Sequence, residues 1–216
     1  GRVHGARRAR GRVRDPDRSI KARRRRGKRP YGVRKPKDSL VHAPGALVKM
    51  DTLDVRPEPG VVLKQFTTRD VVSRWDCLEL AYQATASTAR RLLAPILERM
   101  PFKVKAIQVD GGSEFMAEFE EECQLRGIAL FVLPPRSPKL NGCVVRANRT
   151  HTEEFYHFST DNPTVTELGA EPRQWETVYN SVRTHQDVGY VTPREYLDKW
   201  TQEHDGNEAW CRRERR

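Results

Sequence analysis

From Leu47 to Leu133 most apolar residues fall into short runs bounded by turn-forming residues, which is the pattern of strands. Leu47 to Leu53 reads as a first strand, Val61 to Thr67 as a second and Trp75 to Leu80 as a third. Arg56-Pro57-Glu58-Pro59-Gly60 makes the first turn and Thr68–Arg74 the second link, so the three strands predict an antiparallel meander. The period then changes. Ala86, Ala89, Leu92, Leu93, Ile96 and Leu97 recur at helical spacing, predicting a helix over Thr85–Met100 that Pro95 should kink or bound. Ala106, Ile107 and Val109 form a fourth strand that stops at Asp110. An acidic amphipathic helix follows from Ser113, its expected N-cap, to about Arg126, and Ile128–Leu133 is a fifth, wholly apolar strand.

Pro134 to Gly142 holds three prolines and a glycine and must be a loop. Cys143 to about Phe158 reads as a helix with Val144, Ala147 and Phe155 among its apolar positions. Another runs from Glu171-Pro172 through Trp175, Val178, Tyr179 and Val182, and Pro193 opens a last short one. The order predicts an α/β fold, a five-stranded mixed sheet flanked by helices.

Charge changes this picture at one end only. The chain of 216 residues has a net charge of +11, yet residues 1–37 carry seventeen Lys/Arg against two Asp, a net of +15 that leaves −4 for the rest. A segment so charged and so poor in apolar residues cannot bury a core. It is expected to be an extended arm for a polyanion, DNA or RNA, with Arg23, Arg24, Arg25 and Arg26 its densest stretch. A targeting tail, a solubilising tail or a linker are the other readings. The expected division is therefore an arm over 1–37, a core over 38–200 and a charged tail over 201–216. A chain that opens at Gly1, inside a basic run, is expected to be a fragment or a processed product. Cys77, Cys123, Cys143 and Cys211 are widely spaced, which gives neither a zinc pattern nor a disulfide framework and suits a reducing cytoplasm. No apolar run approaches the ~20 residues of a membrane span, and no signal peptide is visible.

The candidate chemistry sits at strand ends. Asp110 leaves a buried strand and is followed by Gly111-Gly112, a tight turn into a helix. A carboxylate there either shapes the turn or offers a metal ligand. Asp51 and Asp54 lie near the end of the first strand. Residues three apart on a strand face opposite ways, so only one of them can share a site with Asp110, and Asp54 is expected at the surface.

Five motifs taken in order resemble one family. Val48-Lys-Met-Asp51-Thr, Val109-Asp110-Gly-Gly-Ser-Glu-Phe115, the loop Pro134–Gly142, Arg146-Ala-Asn-Arg149 and Tyr179-Asn-Ser-Val-Arg-Thr-His185 with Gly189-Tyr and Thr192-Pro193 are similar to those of DDE transposases with a retroviral-integrase-type core, as found in bacterial insertion sequences. The resemblance covers about Leu47 to Leu197. It implies a ribonuclease H-like fold, DNA cleavage and strand transfer, a two-metal Mg²⁺ or Mn²⁺ site on Asp51 and Asp110, action as a homo-oligomer on element ends and target DNA, and a place in the bacterial cytoplasm, on the nucleoid when bound. Relatives of this kind usually carry a helix-turn-helix region upstream. In-line displacement at phosphorus explains the carboxylates, since paired divalent ions stabilise the attacking and leaving oxygens.

One position departs from the pattern. The family's third ligand is a glutamate after the loop, where Asn141-Gly-Cys-Val-Val145-Arg146 puts a valine, a residue with no donor atom. Glu153 and Glu154 are eight and nine residues on, roughly 12–14 Å along a helix, too far to substitute. Asn148, one turn along on a neighbouring face, has only a neutral amide. Glu114 is expected to serve the helix start. Weak metal binding and impaired catalysis are the expectation, with an inactive DNA-binding relic as the alternative. Arg136, Lys139, Arg146 and Arg149 are the expected phosphate contacts of the core. Arg183 and His185 are added by the resemblance alone.

Overall fold

In the computed structural model, residues 32–36, 39–56, 60–134, 138–156 and 171–204 are described. The three expected meander strands are β1 (Val48–Val55), β2 (Leu63–Asp70) and β3 (Asp76–Ala81). After α1 (Ala86–Arg99) come β4 (Ala106–Val109), a 3-10 turn (Ser113–Phe115), α2 (Glu118–Leu125) and β5 (Ala129–Val132). A second 3-10 turn (Pro138–Asn141) leads into α3 (Gly142–Thr150), which winds on as a π-helical turn (His151–Tyr156). The chain closes with α4 (Glu171–Ser181), a short 3-10 turn (Gln186–Val188) and α5 (Pro193–His204). Among the described residues no helix is long and apolar enough to cross a membrane.

The sheet has the order β3-β2-β1-β4-β5, antiparallel on the meander side and parallel between β1, β4 and β5. Strand alternation divides its two faces. Val48, Met50 and Phe66 are fully buried on one face, in the core they share with Leu93 and Ile96 of α1 and Phe119 of α2. Lys49 and Asp51 pair with Arg69 and Thr67, so these four point the other way, towards the side that α3 covers. Asp54 falls on the opposite face from Asp51, exposed and paired with Lys64, as the strand parity requires.

Both sheet edges are partly covered by groups that the strand pattern does not reveal. On β3, Asn180 of α4 brackets Asp76, accepting from its N–H at 2.9 Å and donating to its carbonyl at 2.8 Å. Glu176 accepts from the Leu78 N–H, and Arg99 donates to the Leu78 carbonyl at 3.1 Å. On β5 the Val132 N–H donates to the Val33 carbonyl at 2.9 Å, so residues 32–36 lie along that edge. These contacts occupy part of each edge ladder.

Three elements differ from the sequence expectation. The helix expected from Ser113 begins at Glu118, because Ala117 takes φ 45° and separates it from the 3-10 turn. Phe115 and Phe119 are four residues apart and in ring contact at 5.3 Å, a spacing that one unbroken helix would also satisfy. The truer start signal is the trio Glu118, Glu120 and Glu121 in the first turn, where the helix dipole favours negative charge. Pro95 neither ends nor divides α1: the carbonyl that loses its donor belongs to Arg91, an exposed residue. And β2 runs on to Asp70, three residues beyond Thr67, so Arg69 and Asp70 are buried strand residues rather than parts of a link.

Candidate active site

The parallel pairing of β1 with β4 matches Val48 to Ile107 and Lys49 to Gln108, an offset of 59. The same offset sets Asp51 level with Asp110; Asp110 directly follows β4, whereas Asp51 lies in the middle of β1, which runs on to Val55 rather than ending near Asp51 as expected. Asp110 is exposed and its Oδ1 accepts from the Gly112 N–H at 2.9 Å, a turn that Gly111 allows by taking φ 89°. The two readings of Asp110 are thus compatible: one carboxylate oxygen shapes the turn while the group stays beside Asp51. Burial first, and then the Asp110 carboxylate, pushes the Asp51 carboxyl up to about 6. Glu114 adds to that rise, while the Thr52 backbone and Asn148 oppose it.

Glu114 folds back over the turn. A Cβ placed on Gly112 would meet its carboxylate at 2.6 Å, so this glycine leaves the room that Glu114 occupies. Glu114 lies in the 3-10 segment ahead of α2 rather than at the start of that helix as expected, and contributes negative charge to Asp51 from there.

Val145 is 49% exposed on α3. Asn148, three residues on, is 7% exposed and donates from Nδ2 to Asp51 Oδ2 at 3.0 Å. The sequence put this amide on a neighbouring face, whereas the structure brings it onto the carboxylate. The proline-rich loop is anchored beside the site at Leu140, whose carbonyl accepts from Lys49 Nζ at 2.6 Å and Gln108 Nε2 at 3.3 Å.

The donor set fits a hard divalent cation in part. Carboxylate oxygens are the ligands that magnesium-class ions select, and Asn148 Oδ1 is a further buried oxygen, with no hydrogen-bond donor, beside them. Among the described residues no third carboxylate completes the set, and no three His, Cys, Asp or Glu side chains come together as a metal site.

The expected phosphate contacts are only partly in view. Arg23 to Arg26 and Arg136 lie outside the described residues, as does the Lys139 side chain, although the Lys139 backbone belongs to the second 3-10 turn. Arg149 is exposed and paired with Glu153 at 2.7 Å, one turn along. Arg146 is exposed 4.0 Å from Asp187. Arg183 is held by Glu154, and His185 is buried.

A buried polar network was missed altogether by sequence reasoning. Asp76 and His151 are fully buried, with His151 Nε2 3.2 Å from Asp76 Oδ2 and Arg69 Nε 3.4 Å from Asp76 Oδ1. Trp175 donates its indole N–H to His151 Nδ1 at 2.9 Å, which leaves Nε2 as the protonated nitrogen facing the carboxylate. Arg69 also donates to the Tyr179 hydroxyl. The network clamps α4 to β2 and β3 behind the site. Its one readable signal was the polar spacing of Trp175, Glu176, Tyr179 and Asn180 along α4.

Residues 126–193 match the family model of the integrase core domain. Among solved structures the chain is similar to the catalytic core domain of BIV integrase, at 21% identity and a TM-score of 0.58, covering 73% of this chain and 97% of that one. It is similar to the HTLV-2 integrase catalytic core domain in complex with magnesium, at 15% identity and a TM-score of 0.61, covering 73% and 99%. A simian T-cell lymphotropic virus intasome matches at 16% identity and a TM-score of 0.60, over 77% of this chain and 58% of that one. No curated protein matches significantly. The fold is the ribonuclease H-like fold of integrase catalytic cores. The domain match supports an integrase- or transposase-type family.

Proposed function

We propose that this chain is the core of a DNA transposase or integrase of the insertion-sequence type, impaired in phosphoryl transfer because Val145 stands where a third carboxylate is expected. The observation that carries this reading is the level placement of Asp51 and Asp110 on adjacent parallel strands, within a fold shared with integrase catalytic cores. A magnesium-class ion held by these two carboxylates would stabilise the charge that develops on oxygens around a phosphorus centre. The chain's own residues prepare the site. Asn148 orients Asp51, and Lys49 and Gln108 fix the loop at Leu140. The basic arm and the cations of α3 would hold the DNA backbone, with element ends and target as the substrates.

Homo-oligomeric action belongs to the same proposal, and the similar HTLV-2 cores are described in dimeric and trimeric forms. So does a bacterial cytoplasmic setting, which the wide cysteine spacing suits. A second reading, a DNA-binding relic without catalysis, is favoured by Val145 itself, exposed and without a donor atom.

The test is nicking and strand transfer of end-containing DNA with Mn²⁺, comparing this chain with its Val145→Glu variant. Activity that appears only in the variant supports an impaired core. Equal activity in both overturns the assignment of Val145. Bound but uncut DNA with both proteins favours the relic.

A further inference from the structure

We propose that a polar cavity between α3, α4 and the strand end of β2 is an oxyanion site that takes a phosphate group. The cavity, of about 60 Å³, is lined by Arg69, Arg146, Tyr179, Arg183, His185 and Asp187 among others. Such a volume is larger than one water needs and suits a small anion. Arg69, Arg146 and Arg183, with Arg74 beside them, stand against the carboxylates of Asp76, Glu154 and Asp187, an excess of one positive charge around the cavity.

Two of its polar groups are buried. Arg69 is 4% exposed, and its guanidinium reaches the Tyr179 hydroxyl and, at 3.2 Å, the Cys143 carbonyl. His185 is 7% exposed, and its Nε2 has no hydrogen-bond partner. Its other nitrogen, Nδ1, lies 3.4 Å from Arg183 Nη1, and a guanidinium can only donate. Nδ1 is therefore the acceptor and Nε2 carries the proton. The Tyr179 backbone also acts on this ring, but no acceptor meets Nε2 in hydrogen-bond geometry, and a buried N–H donor in that state beside guanidinium groups is suited to an anionic oxygen.

Asp187 acts as the resident counter-charge. It is half-exposed at the rim, with Arg74 at 3.6 Å and Arg146 at 4.0 Å, both longer than a charge-assisted hydrogen bond. A phosphate would compete with this loosely held carboxylate. The inference deepens the DNA-binding reading above, because a backbone phosphodiester and a free phosphate present the same oxygens.

The experiment is a titration of the full chain with inorganic phosphate, followed by ³¹P NMR, without metal or DNA. The proteins compared are the native chain, Arg146→Gln, Asp187→Asn and Arg90→Gln, the last removing an equal charge at α1, away from the cavity. Arg146→Gln should weaken phosphate binding about tenfold, the effect of one lost charge-assisted bond. Asp187→Asn should tighten it, a gain that no folding defect imitates, and Arg90→Gln should leave it unchanged. Equal affinity in all four proteins, or weaker binding in Asp187→Asn, would overturn the proposal. The salt dependence of duplex binding then separates the sources. A slope reduced by about one in Arg146→Gln places a DNA phosphate in the cavity, and an unchanged slope assigns the site to a free oxyanion. Because phosphate binding is read without strand transfer, failure of either proposal leaves the other standing.

Discussion

Asn148 Nδ2 donates to Asp51 Oδ2 at 3.0 Å, joining the helix after the proline-rich loop to the central strand of the sheet. A hydrogen bond to the charged form of a carboxylate lowers its pKa, so this contact partly offsets the burial and the neighbouring charges that hold Asp51 at about 6. Replacing Asn148 with alanine should therefore raise the Asp51 pKa further. Carboxyl-¹³C NMR titration would show it, and an unchanged or lower value would mean that the amide does not support the carboxylate.

Asp51 also links stability to pH. Its folded pKa lies above that of the unfolded chain, so the folded state holds the proton more tightly. The resulting stabilisation is present in full below the unfolded value and is lost as pH rises through about 6. Asp51→Asn lacks this dependence. In metal-free buffer its melting temperature, relative to the native chain, should be higher at pH 8 than at pH 4. A difference that stays constant with pH would contradict the coupling.

The buried network behind the site should dominate the stability effects. Asp76→Ala would leave the Arg69 guanidinium buried without a counter-charge and His151 without an anionic neighbour, a loss of about 3–5 kcal/mol. Asp54→Ala removes an exposed ion pair with Lys64, a loss of at most about 1 kcal/mol. Urea denaturation of the two variants separates them, and equal losses would mean that Asp76 is not a structural anion.

At Ala117 the backbone adopts φ 45°, which a Cβ disfavours. Ala117→Gly should stabilise the fold by about 1 kcal/mol, since glycine enters this conformation without steric strain. A loss of stability in the same urea assay would mean that the break before α2 is not strained.

Asp110 was legible because it ends a short apolar run, Asp51 because it lies within one, and strand parity was enough to set Asp54 apart from Asp51. Arg69 and Asp76 were illegible as core groups. Arg69 follows a strand pattern and looks like the beginning of a loop, Asp76 falls within the expected third strand with no sign of burial, and only the helices covering the second face of β2 and β3 make them core groups. His151 falls inside the expected helix from Cys143 to about Phe158 with nothing to mark it, yet it is fully buried, and Trp175, twenty-four residues on, supplies a donor for one ring nitrogen. Contacts of that kind carry no local signature. Asn148 lay between these cases: its position one turn after Val145 was plain, but the approach of α3 to β1 decides which residue of that turn meets Asp51.

The central claim is that Asp51 and Asp110 form a cation site that lacks its third carboxylate at Val145. Calorimetric titration with Mn²⁺ tests it most directly, using the native chain, Val145→Glu, and an Asp51→Asn/Asp110→Asn double variant. The native chain should bind weakly, the double variant should not bind at this site, and Val145→Glu should bind at least about tenfold more tightly than the native chain. Native binding as tight as that of Val145→Glu, or binding that survives in the double variant, would contradict the account.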